Sequence, residues 1–269
     1  MRRDCSDILT ELECWYALDR GQYLLDATRR AIQDLLDTSF GYHILQLGVS
    51  GGQQPLCQGS PINHRLFCAS SPAQGVNLVA DAAELPLESD SVDAIIAHHC
   101  LEFAARPHQV LREIQRVLTP QGQLLVVGFN PYSLMGCNTR VRGLLRDPLW
   151  AAHQPVSEHR LTDWLHLLGC EVLDTRWLYA LPPVGHGRLR RLMSHGDRWA
   201  ARHNLPVGGV YVLHATKQVA GLNRPRQPLL VRGKRLIGLV PKPAPVPTPT
   251  PRGGYLSTDI PPDEGSLAA

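Results

Sequence analysis

Apolar runs of strand length alternate with helical periodicities from residue 19 to residue 217, and that alternation restricts the chain to an α/β architecture. In "DRGQYLLDATRRAIQDLLD" (19–37), Tyr23, Leu24, Ala27, Ala31, Leu35 and Leu36 share one helical face. The strand "YHILQLG" follows, then the weaker "RLFCAS" (65–70) and "VNLVAD" (76–81). "VDAIIAHH" (92–99) is a fourth strand. Val110, Leu111, Ile114 and Leu118 mark a second helix, stopped by Thr119, Pro120 and Gly122. "QLLVVGFN" (123–130) is the fifth strand, "SEHRLTDWLHLLG" a helix, and "CEVLDTRWL" and "GGVYVLHATK" the last two strands. Continuously apolar strands require cover on both faces, so the sheet is mostly parallel and doubly wound.

At 269 residues, 43% of them hydrophobic, the chain can bury a full core, expected over residues 1–218. From residue 219 the composition shifts. Ten of the 22 prolines fall there, and seven basic residues stand against three acidic ones, so the net charge of +3 is concentrated in this tail. Too little apolar surface remains for independent folding, and 219–269 is expected to be an extended, disordered appendage. Seven scattered cysteines without a CxxC pair fit reduced thiols, not a disulfide framework or zinc ribbon. No signal-like apolar segment opens the chain and no run could span a bilayer, so a cytoplasmic location is expected, with a peripheral membrane contact left open.

Doubly wound sheets bind ligands beyond the strand carboxyl ends, at the point where strand order reverses. The loop after the first strand, "GVSGG" (48–52), lies there. Its glycines let backbone approach a ligand, and a following helix start favours an anionic group.

"LQLG", then "VADAAELPLESDSVDAIIAHHCLEF", then "PHQVLREIQRVLTPQGQLLVVGFNP" together resemble the class I S-adenosylmethionine-dependent methyltransferases, specifically the type 11 branch, over residues 40–217. The resemblance implies a seven-stranded Rossmann-like methyltransferase fold, S-adenosylmethionine as cofactor and methyl transfer to a small molecule, with nucleic acid not expected as substrate. It assigns Asp81 to the adenine amino group and Ala82 to the ring. Gly48 becomes the first loop glycine, and Ser50 and Gly51 approach the methionine part. His98 and His99 fall at the positions under the sulfonium. The chain departs from the family pattern at Gln46, where an acid is usual, and at the end of the second strand, where Ser70 and Ser71 replace the acid that grips the ribose. A neutral partner there is worth about half a charged one. These departures keep open a catalytically inactive, methyltransferase-like binding or scaffold protein, its basic tail contacting RNA or anionic membrane.

In "AHHCLEF", neighbouring strand residues point to opposite faces, so His98 and His99 are not expected to share a metal ion. Imidazole titrates near neutrality, making His99, with Glu102, the candidate group for contact with the acceptor; a pocket-lining role is the alternative. "FNPYS" follows the fifth strand, whereas the N-P-P-Y signature of amino-group methyltransferases follows the fourth. Segments 133–155 and the arginine-rich 182–206 are candidates for the acceptor pocket.

Overall fold

The computed structural model describes residues 5–37, 39–49, 55–145, 147–179, 195–197, 199, 200 and 202–218. The expectations for Ser50, Gly51, most of the 182–206 insertion and the tail from residue 219 fall outside these residues. Chain contacts separate a unit 1–223 from a unit 224–269, and every described residue belongs to the first.

In chain order the elements are α1 (Cys5–Tyr16), α2 (Asp19–Leu36), β1 (His43–Gly48), β2 (His64–Ala69), β3 (Leu78–Val79), β4 (Val92–His98), α3 (Pro107–Val117), β5 (Leu118–Phe129), α4 (Leu134–Leu144), α5 (Pro148–Ala151), α6 (Glu158–Leu167), β6 (Cys170–Leu178) and β7 (Val210–Lys217). The strands form one sheet ordered β3-β2-β1-β4-β5-β7-β6. Six strands run in one direction, and β7 is inserted antiparallel between β5 and β6. Strand order reverses between β1 and β4.

Alternation along the central strands feeds two cores. Ile44, Ala94, Ile96, Leu125 and Val127 pack with α1 and α2 on one face. Leu45, Leu47, Ile95, Leu124 and Val126 pack with α3 and α6 on the other. Helix α3 buries Val110, Leu111, Ile114 and Val117, each contributing about 1.5–3 kcal/mol. It ends at Val117 because Leu118 turns extended (φ −69°, ψ 130°) and enters β5 directly, before the Thr119–Pro120 stop is reached.

Two differences from the sequence reading have local causes. The third strand contracts to Leu78–Val79: the Asn77 N–H still donates to the Phe67 carbonyl at 3.2 Å, but the rest of its pairing with β2 falls to the Asn77 side chain. It accepts from the Phe67 N–H at 2.7 Å and donates to the Arg65 carbonyl at 3.1 Å. The N-terminal helix α1 was not anticipated. Ile8, Leu12 and Tyr16, four residues apart, form its buried stripe. No described helix is long and apolar enough to cross a membrane.

Candidate active site

Beyond the carboxyl ends of β1 and β2, at the reversal of strand order, lies a cavity of about 420 Å³. Gly48, Ser70, Asp81, Ala82, Cys68 and Cys100 line it. Gly48 has φ +93°, and a Cβ there would sit 2.2 Å from the His98 carbonyl oxygen. Its lack of a side chain therefore lets β1 and β4 close behind the cavity as well as baring backbone to it. Burial pushes the Cys68 thiol up to about 11, so the sulfur in this wall is a neutral thiol and a poor nucleophile at physiological pH.

Asp81 is exposed, and its Oδ1 accepts the Ala83 N–H at 2.9 Å. That turn fixes the carboxylate at the cavity wall. Asp81 therefore closes a local turn with one carboxylate oxygen while lining the cavity. Ser70 is exposed just after β2 and lines the cavity. An adenosine-bearing ligand fits this donor set: a carboxylate for an exocyclic amine, a hydroxyl for a ribose and alanine surface for a purine face.

Gln46, which stands where an acid is usual, is buried. Its Oε1 accepts from the Leu56 N–H at 3.0 Å and its Nε2 donates to the Val49 carbonyl at 3.3 Å. One amide therefore pins both ends of the loop that leaves β1.

His98 and His99 are fully buried at the end of β4, behind the cavity and not among its lining residues. The expectation of opposite faces fails here, because β4 ends at His98 and His99 turns left-handed at φ +54°. The two rings consequently lie 4.8 Å apart, both against Tyr16. His98 Nδ1 sits 2.7 Å from the Val49 carbonyl. A carbonyl only accepts, so Nδ1 carries the hydrogen and Nε2 is left as a buried lone pair without a partner. Burial, reinforced by His99, lowers the His98 pKa to about 3.

Both nitrogens of His99 are committed. Nδ1 faces Glu102 Oε2 at 2.7 Å and Nε2 faces the Tyr16 hydroxyl at 2.7 Å. Glu102 is 1% exposed; burial pushes its carboxyl up, but His153 and His99 pull it down to about 2. Its Oε1 also accepts from the Phe129 N–H at 2.6 Å, and His153 Nε2 stands 3.5 Å away. Around an ionised carboxylate, the neutral ring has one consistent polarity: His99 Nδ1–H donates to Glu102 and the Tyr16 O–H donates to His99 Nε2. Burial holds the Tyr16 phenol well above its usual range. Phe129 stacks on His99 with centroids 4.1 Å apart, and Trp15 and Trp150 close the cluster edge-on.

His99 and Glu102 are thus brought together as one unit, and Gly48, Ser70, Asp81 and Ala82 as another. Tyr16, Trp150 and His153 were missed. The four-residue spacing of Ile8, Leu12 and Tyr16 was a legible signal for the first. No sequence signal marks the other two. In "FNPYS", Asn130 has a structural role. Its amide donates to the Gly208 carbonyl at 2.9 Å and accepts from the Tyr132 N–H at 3.0 Å, tying β5 to the start of β7. Among the described residues no group of three or more His, Cys, Asp or Glu side chains could hold a metal ion.

Residues 61–126 match the family described as Methyltransferase domain. The uncharacterized protein YafS of Escherichia coli (strain K12) is 31% identical over 175 residues, covering 65% of this chain and 72% of YafS. A SAM-dependent methyltransferase of Thermotoga maritima superposes with a TM-score of 0.58 at 18% identity, over 79% of this chain and 98% of that one. The [4+2]-cyclase SpnF superposes with a TM-score of 0.51 at 21% identity, over 72% and 81%. From the seven-stranded order, the cavity at its reversal point and these likenesses, the chain belongs to the class I S-adenosylmethionine-dependent methyltransferase family, whose cofactor is S-adenosylmethionine.

Proposed function

We propose that this protein transfers the methyl group of S-adenosylmethionine to a small-molecule acceptor in the cytoplasm. The observation that carries this reading is the cavity that joins Gly48, Ser70 and the Asp81 carboxylate at the reversal of strand order. Asp81 would hold the adenine amino group, Ala82 the ring face and Ser70 a ribose hydroxyl. The cofactor, when bound, supplies an electrophilic methyl on a positively charged sulfur.

The chain's own residues then act in two ways. The first is alignment, because a nucleophile and a methyl group held in line react without a strong acid or base. The second is to hold the end of β4 rigid behind the cavity. His99 is not a free base, since both ring nitrogens are engaged. With Tyr16 on one nitrogen and Glu102 on the other, the buried His99 braces the segment after β4 behind the cavity. His98, buried behind the cavity, ties the end of β4 to the loop leaving β1 through the Val49 carbonyl.

A binding-only reading rests on the serine that ends β2 and on the fold's occurrence in the cyclase SpnF. Calorimetric titration with S-adenosylmethionine and S-adenosylhomocysteine separates the two. The enzyme reading expects both ligands to bind and Asp81→Ala to weaken them by about tenfold. Absence of binding, or equal affinity in the variant, overturns the assigned cofactor site.

A further inference from the structure

Helix α4 is oriented contrary to an ordinary surface helix. Its inward face is made of small residues, Gly136 and Thr139, and a Cβ on Gly136 would lie 2.2 Å from the Asn130 carbonyl oxygen. Gly143 likewise packs against the Trp150 carbonyl, 2.8 Å from where a Cβ would be. The helix therefore lies close against the body of the protein and turns its apolar stripe outward. Leu134, Cys137, Val141 and Leu144 follow helical spacing on the exposed side, with Leu134 69%, Val141 48% and Leu144 84% accessible. Leu145 continues the stripe at 76%. Soluble surface helices put such residues inside. An exposed apolar stripe of this length marks a contact surface.

At the start of α4 the stripe opens into an apolar cavity of about 620 Å³, lined by Tyr132, Leu134, Cys137, Trp199 and Val207. Tyr132 and Trp199 are exposed aromatics with polar atoms at one end, the residue types that settle at the headgroup level of membranes. Just after α4, Asp147 is engaged in a 2.6 Å ion pair with Arg142. Arg140 lies on the stripe between Cys137 and Leu144, Arg202 follows Trp199 by three positions, and both are exposed. Helix α4 contains no acidic residue. Asp197, the nearest acid in sequence to Trp199, is buried and accepts from the Tyr23 hydroxyl at 2.8 Å.

We infer that the outward stripe of α4, with Tyr132, Trp199 and the cavity between them, docks onto an anionic lipid bilayer. The leucines and Val141 enter the acyl boundary, the cavity receives an acyl chain, and Arg140 and Arg202 meet the headgroup phosphates. This surface is distinct from the cofactor cavity and its test does not depend on the proposed reaction.

The full chain is sedimented with vesicles of phosphatidylcholine containing about one quarter phosphatidylglycerol, and with vesicles of phosphatidylcholine alone. The expected result is partition onto the anionic vesicles, with a blue shift of tryptophan emission. The double variant Val141→Glu, Leu144→Glu should bind about tenfold more weakly or not at all. Both positions are exposed, so the variant should retain its melting temperature and its affinity for S-adenosylmethionine. Three results overturn the inference: no binding to anionic vesicles; equal binding by the double variant; or a wild-type dimer that the variant dissociates, with no vesicle binding, which would assign the stripe to a second copy of this chain.

Discussion

The Tyr16 hydroxyl lies 2.7 Å from Nε2 of His99, joining the last residue of α1 to the residue after β4 across 83 positions of sequence. This bond makes the N-terminal helix part of the site. It also leaves Glu102, at the far side of the ring, as the charge toward which the whole chain of hydrogen bonds is polarised.

Tyr16→Phe tests that polarity. The ring stays, but His99 Nε2 becomes a buried acceptor without a donor, costing about 1–3 kcal/mol. Urea denaturation should show this loss with an unchanged m-value. A variant as stable as the wild type would mean that water or another group readily replaces the phenol.

His98 gives the protein an acid sensitivity. Its folded pKa is lowered from 6.5 to about 3 by burial and then by His99, so below pH 6.5 the unfolded chain binds the proton first. The stabilisation is complete above pH 6.5 and is lost as pH falls toward 3. His98→Gln should flatten the stability profile between pH 6.5 and 4.5. His214, also lowered by burial, retains part of the slope. A variant profile as steep as the wild type would show that His98 does not titrate this way.

Glu102 acts in a lower window. Its folded pKa of about 2 lies below the ordinary 4.5, so it stabilises the fold above pH 4.5 and ceases to do so as pH falls toward 2. Glu102→Gln presents an amide N–H₂ to at least one of the donors now served by carboxylate oxygens. The cost near neutral pH should be about 3 kcal/mol, narrowing on acidification below pH 4.5. Thermal melts across that range measure it, and a deficit independent of pH would remove the claim that Glu102 is ionised.

The sheet was legible because parallel strands buried on both faces are mostly apolar, as "HILQLG" and "VDAIIAH" are. β3 was overextended because a side chain, Asn77, makes the hydrogen bonds of a backbone in a way that no periodicity reports. Gly48 was singled out from its place after the first strand, and Asp81 from the family resemblance; both line the cavity. The His98–His99 arrangement was not legible, since it depends on one left-handed residue at the strand end. Tyr16, Glu102 and His153 meet only through the tertiary fold, which explains why Glu102 was recognised as a candidate without its partners.

Gly48→Ala probes the cavity's back wall. At φ +93° any side chain is strained, and the added carbon would lie 2.2 Å from a backbone oxygen that cannot rotate away. The strain alone costs about 1–3 kcal/mol. Relief by separating β1 from β4 would displace the cavity wall, so S-adenosylmethionine affinity should fall together with stability in parallel calorimetry and melting experiments. Retention of both would show that the strands shift without consequence.

Gln46 is the residue where departure from the family pattern has a structural purpose. Its amide accepts from Leu56 N–H and donates to the Val49 carbonyl, and that same Val49 carbonyl accepts from His98. The side chain thus links the loop leaving β1 to the histidine that ends β4. Gln46→Leu keeps the bulk but orphans the Leu56 N–H, at about 1–3 kcal/mol. Gln46→Glu, which introduces the acid usual in the family, still accepts from Leu56, yet sets a carboxylate oxygen against the Val49 carbonyl. The two variants should therefore differ in pH dependence: the leucine deficit is constant, whereas the glutamate deficit shrinks once the added carboxyl is protonated and can donate to Val49. Stability curves from pH 7 to about pH 4 distinguish them. A glutamate variant that matches the wild type at pH 7 would show that Val49 does not need the amide donor.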